Sequence, residues 1–205
     1  MAKKEIIHPP VKMMTGCEMF MWGDEPQGFS MRDFWSVMYS NIYENTGDLA
    51  EFLVAVALNI RTFKKYGWTQ YDIDYRDCRI EVKATQYYQP WEANGKVTEQ
   101  RTFNIGMANS VEGDNDSGKM HNNDVYVFVL NTGRNEKDSY PLELNHWLFW
   151  VVPTSDINKE CGNQKKLSLN KLKKIANEVG GGDKGLGFCD LKKAIDEIIS
   201  KYVLK

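Results

Sequence analysis

Tyr71-Asp72-Ile73-Asp74-Tyr75-Arg76-Asp77-Cys78-Arg79-Ile80-Glu81-Val82-Lys83-Ala84-Thr85 is two runs of period-2 alternation joined at a polar break. Tyr71, Ile73 and Tyr75 alternate with Asp72 and Asp74; Cys78, Ile80, Val82 and Ala84 alternate with Arg79, Glu81, Lys83 and Thr85. Such alternation predicts two half-buried strands. With Arg76-Asp77 as a two-residue turn, counting puts Tyr75 opposite Cys78, Asp74 opposite Arg79 and Asp72 opposite Glu81. Asp74 and Arg79 are then a cross-strand charge pair. Asp72 and Glu81 are like charges with Cβ atoms about 4.5–5.5 Å apart, an arrangement that destabilises a sheet. A cation between them, or a proton on one, removes that cost. Lys83 stands two residues on, on the same face. Two carboxylates and an ammonium around a divalent ion suit metal-assisted phosphodiester hydrolysis. The other reading of the same residues is a solvated hairpin face carrying both charges.

The rest of the chain supplies the setting. Its 205 residues, 42% hydrophobic, suffice for one domain with a sizeable core. A net charge of −2 gives no global basic field. Cys17, Cys78, Cys161 and Cys189 are far apart and show neither zinc-ligand spacing nor a disulfide framework, which fits a reducing cytosol. No apolar run approaches the ~18–20 residues that span a bilayer. No apolar stretch follows Met1-Ala2-Lys3-Lys4-Glu5, so a soluble cytoplasmic protein without a signal peptide or membrane partner is expected.

Residues 1–29 are irregular and rich in Met and aromatics, and are expected to form an arm packed on the body, with an oligomer surface as the alternative. Ser30 is placed to cap a helix over about 31–44. The segment from Leu49 to Ile60 is apolar on nearly every side, which predicts a buried helix. Its one acid, Glu51, either complements the helix dipole or points into a polar site. Strands are predicted at 101–108, 124–130 and 146–153, the second as a central strand. Residues 112–118 resemble a calcium loop only superficially, and His121 and His146 stand without ligand spacing. Helices follow from Ser168 to the Gly180-Gly181-Gly182 stop and over about 188–203. Lys159, Lys165, Lys166, Lys171, Lys173 and Lys174 make the clearest basic patch, read as a solvated face or a phosphate-contacting surface. The element order predicts an α/β (α+β) fold, a mixed sheet flanked by helices. An arm (1–29), a core (30–160) and a C-terminal helical extension (161–205) are expected.

Glu51 on a helix, Asp72 on a strand and Glu81-Val82-Lys83 on the next strand together resemble the PD-(D/E)XK nuclease superfamily, the restriction-endonuclease-like fold. The stretch Gly47–Val54 resembles that superfamily's first-helix motif with its acid, and Tyr87–Trp91, Asp124–Phe128 and Trp147–Thr154 are similar to a bacterial or phage group of the fold. The resemblance covers roughly residues 34–154, with Tyr71 where the motif's proline would stand. It implies that Asp72 and Glu81 ligate Mg2+, with Mn2+ as a substitute and the Val82 carbonyl as a further ligand. Lys83 would position the attacking water, Glu51 would hold a second ion or its water, and Gln89 would assist. Asp74 is the alternative to Asp72. DNA is the implied partner, and a homodimer is one arrangement open to the fold. The rival expectation is a non-catalytic nucleic-acid- or protein-binding module built on the same fold.

Overall fold

The reversal at Arg76 and Asp77 sets the register on which the sheet is built. Both residues lie in the left-handed region, with φ of 52° and 59°, the backbone of a type I′ two-residue hairpin, whose twist matches that of its strands. Ile73 therefore faces Ile80, Asp74 faces Arg79 and Tyr75 faces Cys78, as counting from the turn predicts.

The computed structural model describes residues 13–60, 71–91, 97–106 and 122–203. In chain order these form β1 (Met19–Trp22), β2 (Glu25–Ser30), α1 (Met31–Met38), α2 (Thr46–Ala57), β3 (Ile73–Tyr75), β4 (Cys78–Gln86), β5 (Thr102–Asn104), β6 (Val125–Asn131), β7 (Trp147–Pro153), α3 (Thr154–Cys161), β8 (Lys166–Ser168), α4 (Leu169–Glu178) and α5 (Phe188–Tyr202). This is a mixed α+β fold. Residues 112–118, which resemble a calcium loop only superficially, and His121 lie outside the described residues.

The main sheet has the order β3-β4-β6-β7. β4 and β6 run parallel, and β3 and β7 flank them antiparallel. Every residue of β6 is buried, as its unbroken Val-Tyr-Val-Phe-Val-Leu run requires of a strand covered on both faces. On one face Ile80, Val82, Val127, Phe149 and Val151 pack against α2 and α5 through Leu53, Val54, Leu191 and Ile195. On the other, Tyr126, Phe128, Leu130, Trp150 and Val152 pack against α3, α4 and the β5–β8 pair through Ile157, Leu172, Phe103 and Leu167. Residues between Cys161 and Val203 thus help to build both cores.

Four expectations are corrected. The 101–108 strand is three residues long where assigned as strand, and it pairs with β8 in a separate ribbon outside the main sheet. The 31–44 helix ends at Met38 and resumes as a short 3-10 turn at Ile42–Asn45. α2 is not buried all round, because Phe52 and Val56 are 54% and 41% exposed. The described part of the arm does not sink into the body: β1 and β2 form a hairpin with almost every residue exposed.

Candidate active site

β3 is short, and its ladder with β4 closes at Ile73–Ile80. One residue further, Asp72 takes over from the ladder with its side chain. Its Oδ2 accepts the Val82 N–H at 2.7 Å, while its own N–H donates to the Ile80 carbonyl at 3.0 Å. Within a strand a residue's N–H and C=O point to the same side. The Val82 carbonyl therefore lies on the Asp72 edge of β4, past the end of the ladder.

The counted pairing of Asp72 with Glu81 falls outside the ladder, which ends at Ile73–Ile80, whereas alternation along β4 places Glu81 and Lys83 together on the face opposite Val82. Their parallel neighbours on β6 share that face: Glu81 is in register with Tyr126, and Lys83 with Phe128. Glu81 is three-quarters or more buried and forms an ion pair with the Lys83 ammonium. Burial, and next the negative charge of Asp72, push the Glu81 carboxyl above the ordinary glutamate value, against the opposing pull of Lys83. The two acids thus feel each other electrostatically. Tyr126 completes the surroundings. Its phenol is raised by burial and then by Glu81 and Asp72, and its ring stacks on Phe128 with centroids 5.3 Å apart. Sequence reading missed Tyr126, because only the long-range β4–β6 register puts it beside Glu81.

Asp74 faces Arg79 in the ladder, and its carboxylate accepts from the Tyr71 hydroxyl at 3.2 Å. Arg79, expected to pair with Asp74, turns to Asp124 instead. It donates through Nε at 3.0 Å and Nη2 at 2.8 Å, and its main-chain N–H adds a third bond at 2.9 Å. Those bonds hold Asp124 below the usual carboxylate range.

Glu51 belongs to α2, the helix that covers the Val82 face rather than the Glu81 face. Among the described residues no group of three or more His, Cys, Asp or Glu side chains is arranged to hold a metal ion. Gln89 follows the carboxyl end of β4, whose last residue, Gln86, is about 16 Å of strand from Glu81. At that end Gln86 is buried and accepts the Thr46 hydroxyl at 2.5 Å, which ties the start of α2 to β4.

The donors at the Asp72–Glu81 edge are oxygens, two from acids and one from a main-chain carbonyl. That set fits a hard divalent cation such as magnesium. A cation there would also relieve the repulsion that raises Glu81. In comparisons with known proteins, the chain matches no family model, no curated protein and no solved structure.

Proposed function

We propose that this chain is a magnesium-dependent nuclease of the PD-(D/E)XK type that hydrolyses DNA phosphodiester bonds in the cytoplasm. One observation carries the reading. Asp72, bonded to the Val82 amide, is near enough to Glu81 for its charge to raise that carboxyl, and the Lys83 ammonium is paired with Glu81. Asp72, Glu81 and the Val82 carbonyl would hold the ion, with manganese as its substitute. The ion supplies polarisation of the phosphate and acidification of a water. Lys83, paired with Glu81, would offset negative charge gathering on the phosphate oxygens. The layer over this face, α3, β8 and α4, also carries the lysine patch. Lys171 is spent on the Glu160 carbonyl and Gln164. Lys165, Lys166, Lys173 and Lys174 are left as phosphate contacts. Restriction, defence or repair are the settings in which such cutting is used.

A second reading has its own support. Asp72 already holds the Val82 amide and Glu81 already holds Lys83, as they would in a module that binds nucleic acid without cutting it. Plasmid, single-stranded DNA and RNA incubated with Mg2+ or Mn2+ separate the two. The nuclease cuts DNA, and Glu81→Ala abolishes the cutting. Cutting that survives in Glu81→Ala sinks the enzyme reading, and retarded mobility without cutting favours the binding module.

A further inference from the structure

Along β4, Arg79 precedes Glu81 on the face opposite Val82. Ile80 is in register with Val125 and Glu81 with Tyr126. Arg79 therefore stands level with Asp124, whose N–H donates to the Arg79 carbonyl at 2.8 Å. Two residues of strand, about 7 Å, separate Arg79 from Glu81. The Arg79 side chain is 45% exposed and that of Glu81 17%, so the arginine is the open side of the candidate site.

How Arg79 is held decides what it can do. A guanidinium carries five N–H donors in a rigid plane. Asp124 takes one lateral edge of it, through Nε at 3.0 Å and Nη2 at 2.8 Å. The end-on fork, made of Nη1 and the second Nη2 hydrogen, bonds to none of the described residues. Asp124 is itself fixed. It accepts the Arg79 main-chain N–H at 2.9 Å, and its carbonyl accepts the Thr154 N–H at 3.0 Å. The rotamer freedom that an exposed arginine gives up on binding is thus already gone. Asp74, which faces Arg79 from β3, accepts from the Tyr71 hydroxyl. Arg76, Arg101 and Arg134 are engaged elsewhere, with Asp196, the Tyr87 carbonyl and Glu99. A planar fork held in place and open to solvent matches two oxygens of a phosphodiester.

We infer that Arg79 grips a phosphate of the nucleic-acid backbone end-on, beside the Asp72–Glu81 edge, with Asp124 as the residue that aims it. The inference rests on the proposed DNA-cutting site as its setting. It adds a second cation to Lys83 on the same strand face and names the contact that fixes the backbone there.

Binding of a labelled duplex oligonucleotide in the absence of divalent ions tests this apart from cutting. Arg79→Gln is expected to bind at least about ten-fold more weakly. It is also expected to lower the slope of log affinity against log salt by about one. Asp124→Asn breaks the same ion pair but leaves the cation, and is expected to keep the wild-type slope and lose only a few-fold in affinity. A pair that merely ties β4 to β6 makes the two variants alike, so equal affinities overturn the inference, as does an unchanged slope in Arg79→Gln. Should Arg79→Gln not fold, Arg79→Lys decides. It keeps the charge without the fork and is expected to bind a few-fold more weakly at the wild-type slope; wild-type affinity overturns the inference. The two readings fail separately. A wild type that binds through Arg79 yet leaves DNA uncut with Mg2+ sinks the nuclease alone. A wild type that cuts DNA while Arg79→Gln binds as tightly sinks the phosphate grip alone, and a wild type that does not bind the duplex overturns the grip as well.

Discussion

Asp72 Oδ2 accepts the Val82 N–H at 2.7 Å, so one of the two candidate metal ligands also stands in for a missing ladder partner. The two roles separate by substitution. Asp72→Asn keeps an acceptor for Val82 and is expected to cost less than about 1 kcal/mol in stability. Asp72→Ala strands a buried amide and is expected to cost about 1–3 kcal/mol. Both should abolish metal-dependent cutting, because only the carboxylate supplies charge to the ion. Urea denaturation beside a plasmid assay checks this. Equal stability of the two variants would show that the hydrogen bond does not hold β3 to β4.

Magnesium should stabilise the folded chain through the same residues. At a concentration 100 times the dissociation constant, a ligand that binds only the native state adds about 2.7 kcal/mol. For a chain of this length that is a melting shift of about 5–10 °C. Glu81→Gln and Asp72→Asn are expected to lose the shift. Glu51→Gln should keep it, since α2 covers the other face of the sheet. Thermal melts with and without Mg2+ read all four proteins, and a wild type without a shift removes the ion.

What could be read before the structure was known follows from range. The β3–β4 register needs only local alternation and a two-residue gap, so counting from Arg76-Asp77 recovers it although the turn lacks the usual Asn-Gly. The β6 and β7 runs and the stripes of α4 and α5 are equally local. The β5–β8 ribbon escapes because each strand is three residues long and its partner is more than sixty residues away. The exposed side of α2 escapes because Phe52 and Val56 carry the same apolar signal as the buried Leu53 and Val54. At the candidate site, the nearness of Asp72, Glu81 and Lys83 is legible since one hairpin carries them all. Where Glu51 and Gln89 lie depends on which face α2 covers and where β4 ends, which no local pattern states.

Acid should weaken the Arg79–Asp124 link in a defined window. The guanidinium bonds of Arg79 chiefly, and its main-chain N–H, hold the Asp124 carboxyl below its ordinary value. The folded state therefore binds that proton more weakly than the unfolded chain. The stabilisation is complete above about pH 4, the unfolded value, and fades as pH falls through the folded one. Asp124→Asn is expected to cost about 1 kcal/mol at pH 7, a partly exposed pair being screened by solvent, and to show a flatter stability profile below pH 4. Chemical denaturation from pH 7 down to pH 3 measures the difference, and parallel profiles would contradict the assignment.

The turn itself offers a gain. Asp77 holds φ at 59°, a conformation that costs an L-residue about 1–2 kcal/mol and glycine almost nothing. Glycine returns part of that advantage through the greater freedom of its unfolded chain. Asp77→Gly is therefore expected to raise stability by about 0.5–1 kcal/mol. Arg76 is the poorer choice for replacement although its φ is also positive, because its guanidinium donates to Asp196 on α5 at 3.1 Å and ties the hairpin to that helix. If register at this turn sets the facing of Asp72 and Glu81, Asp77→Gly leaves the magnesium-induced melting shift intact while raising the baseline. A loss of that shift would mean that Asp77, rather than the turn, contributes to the site.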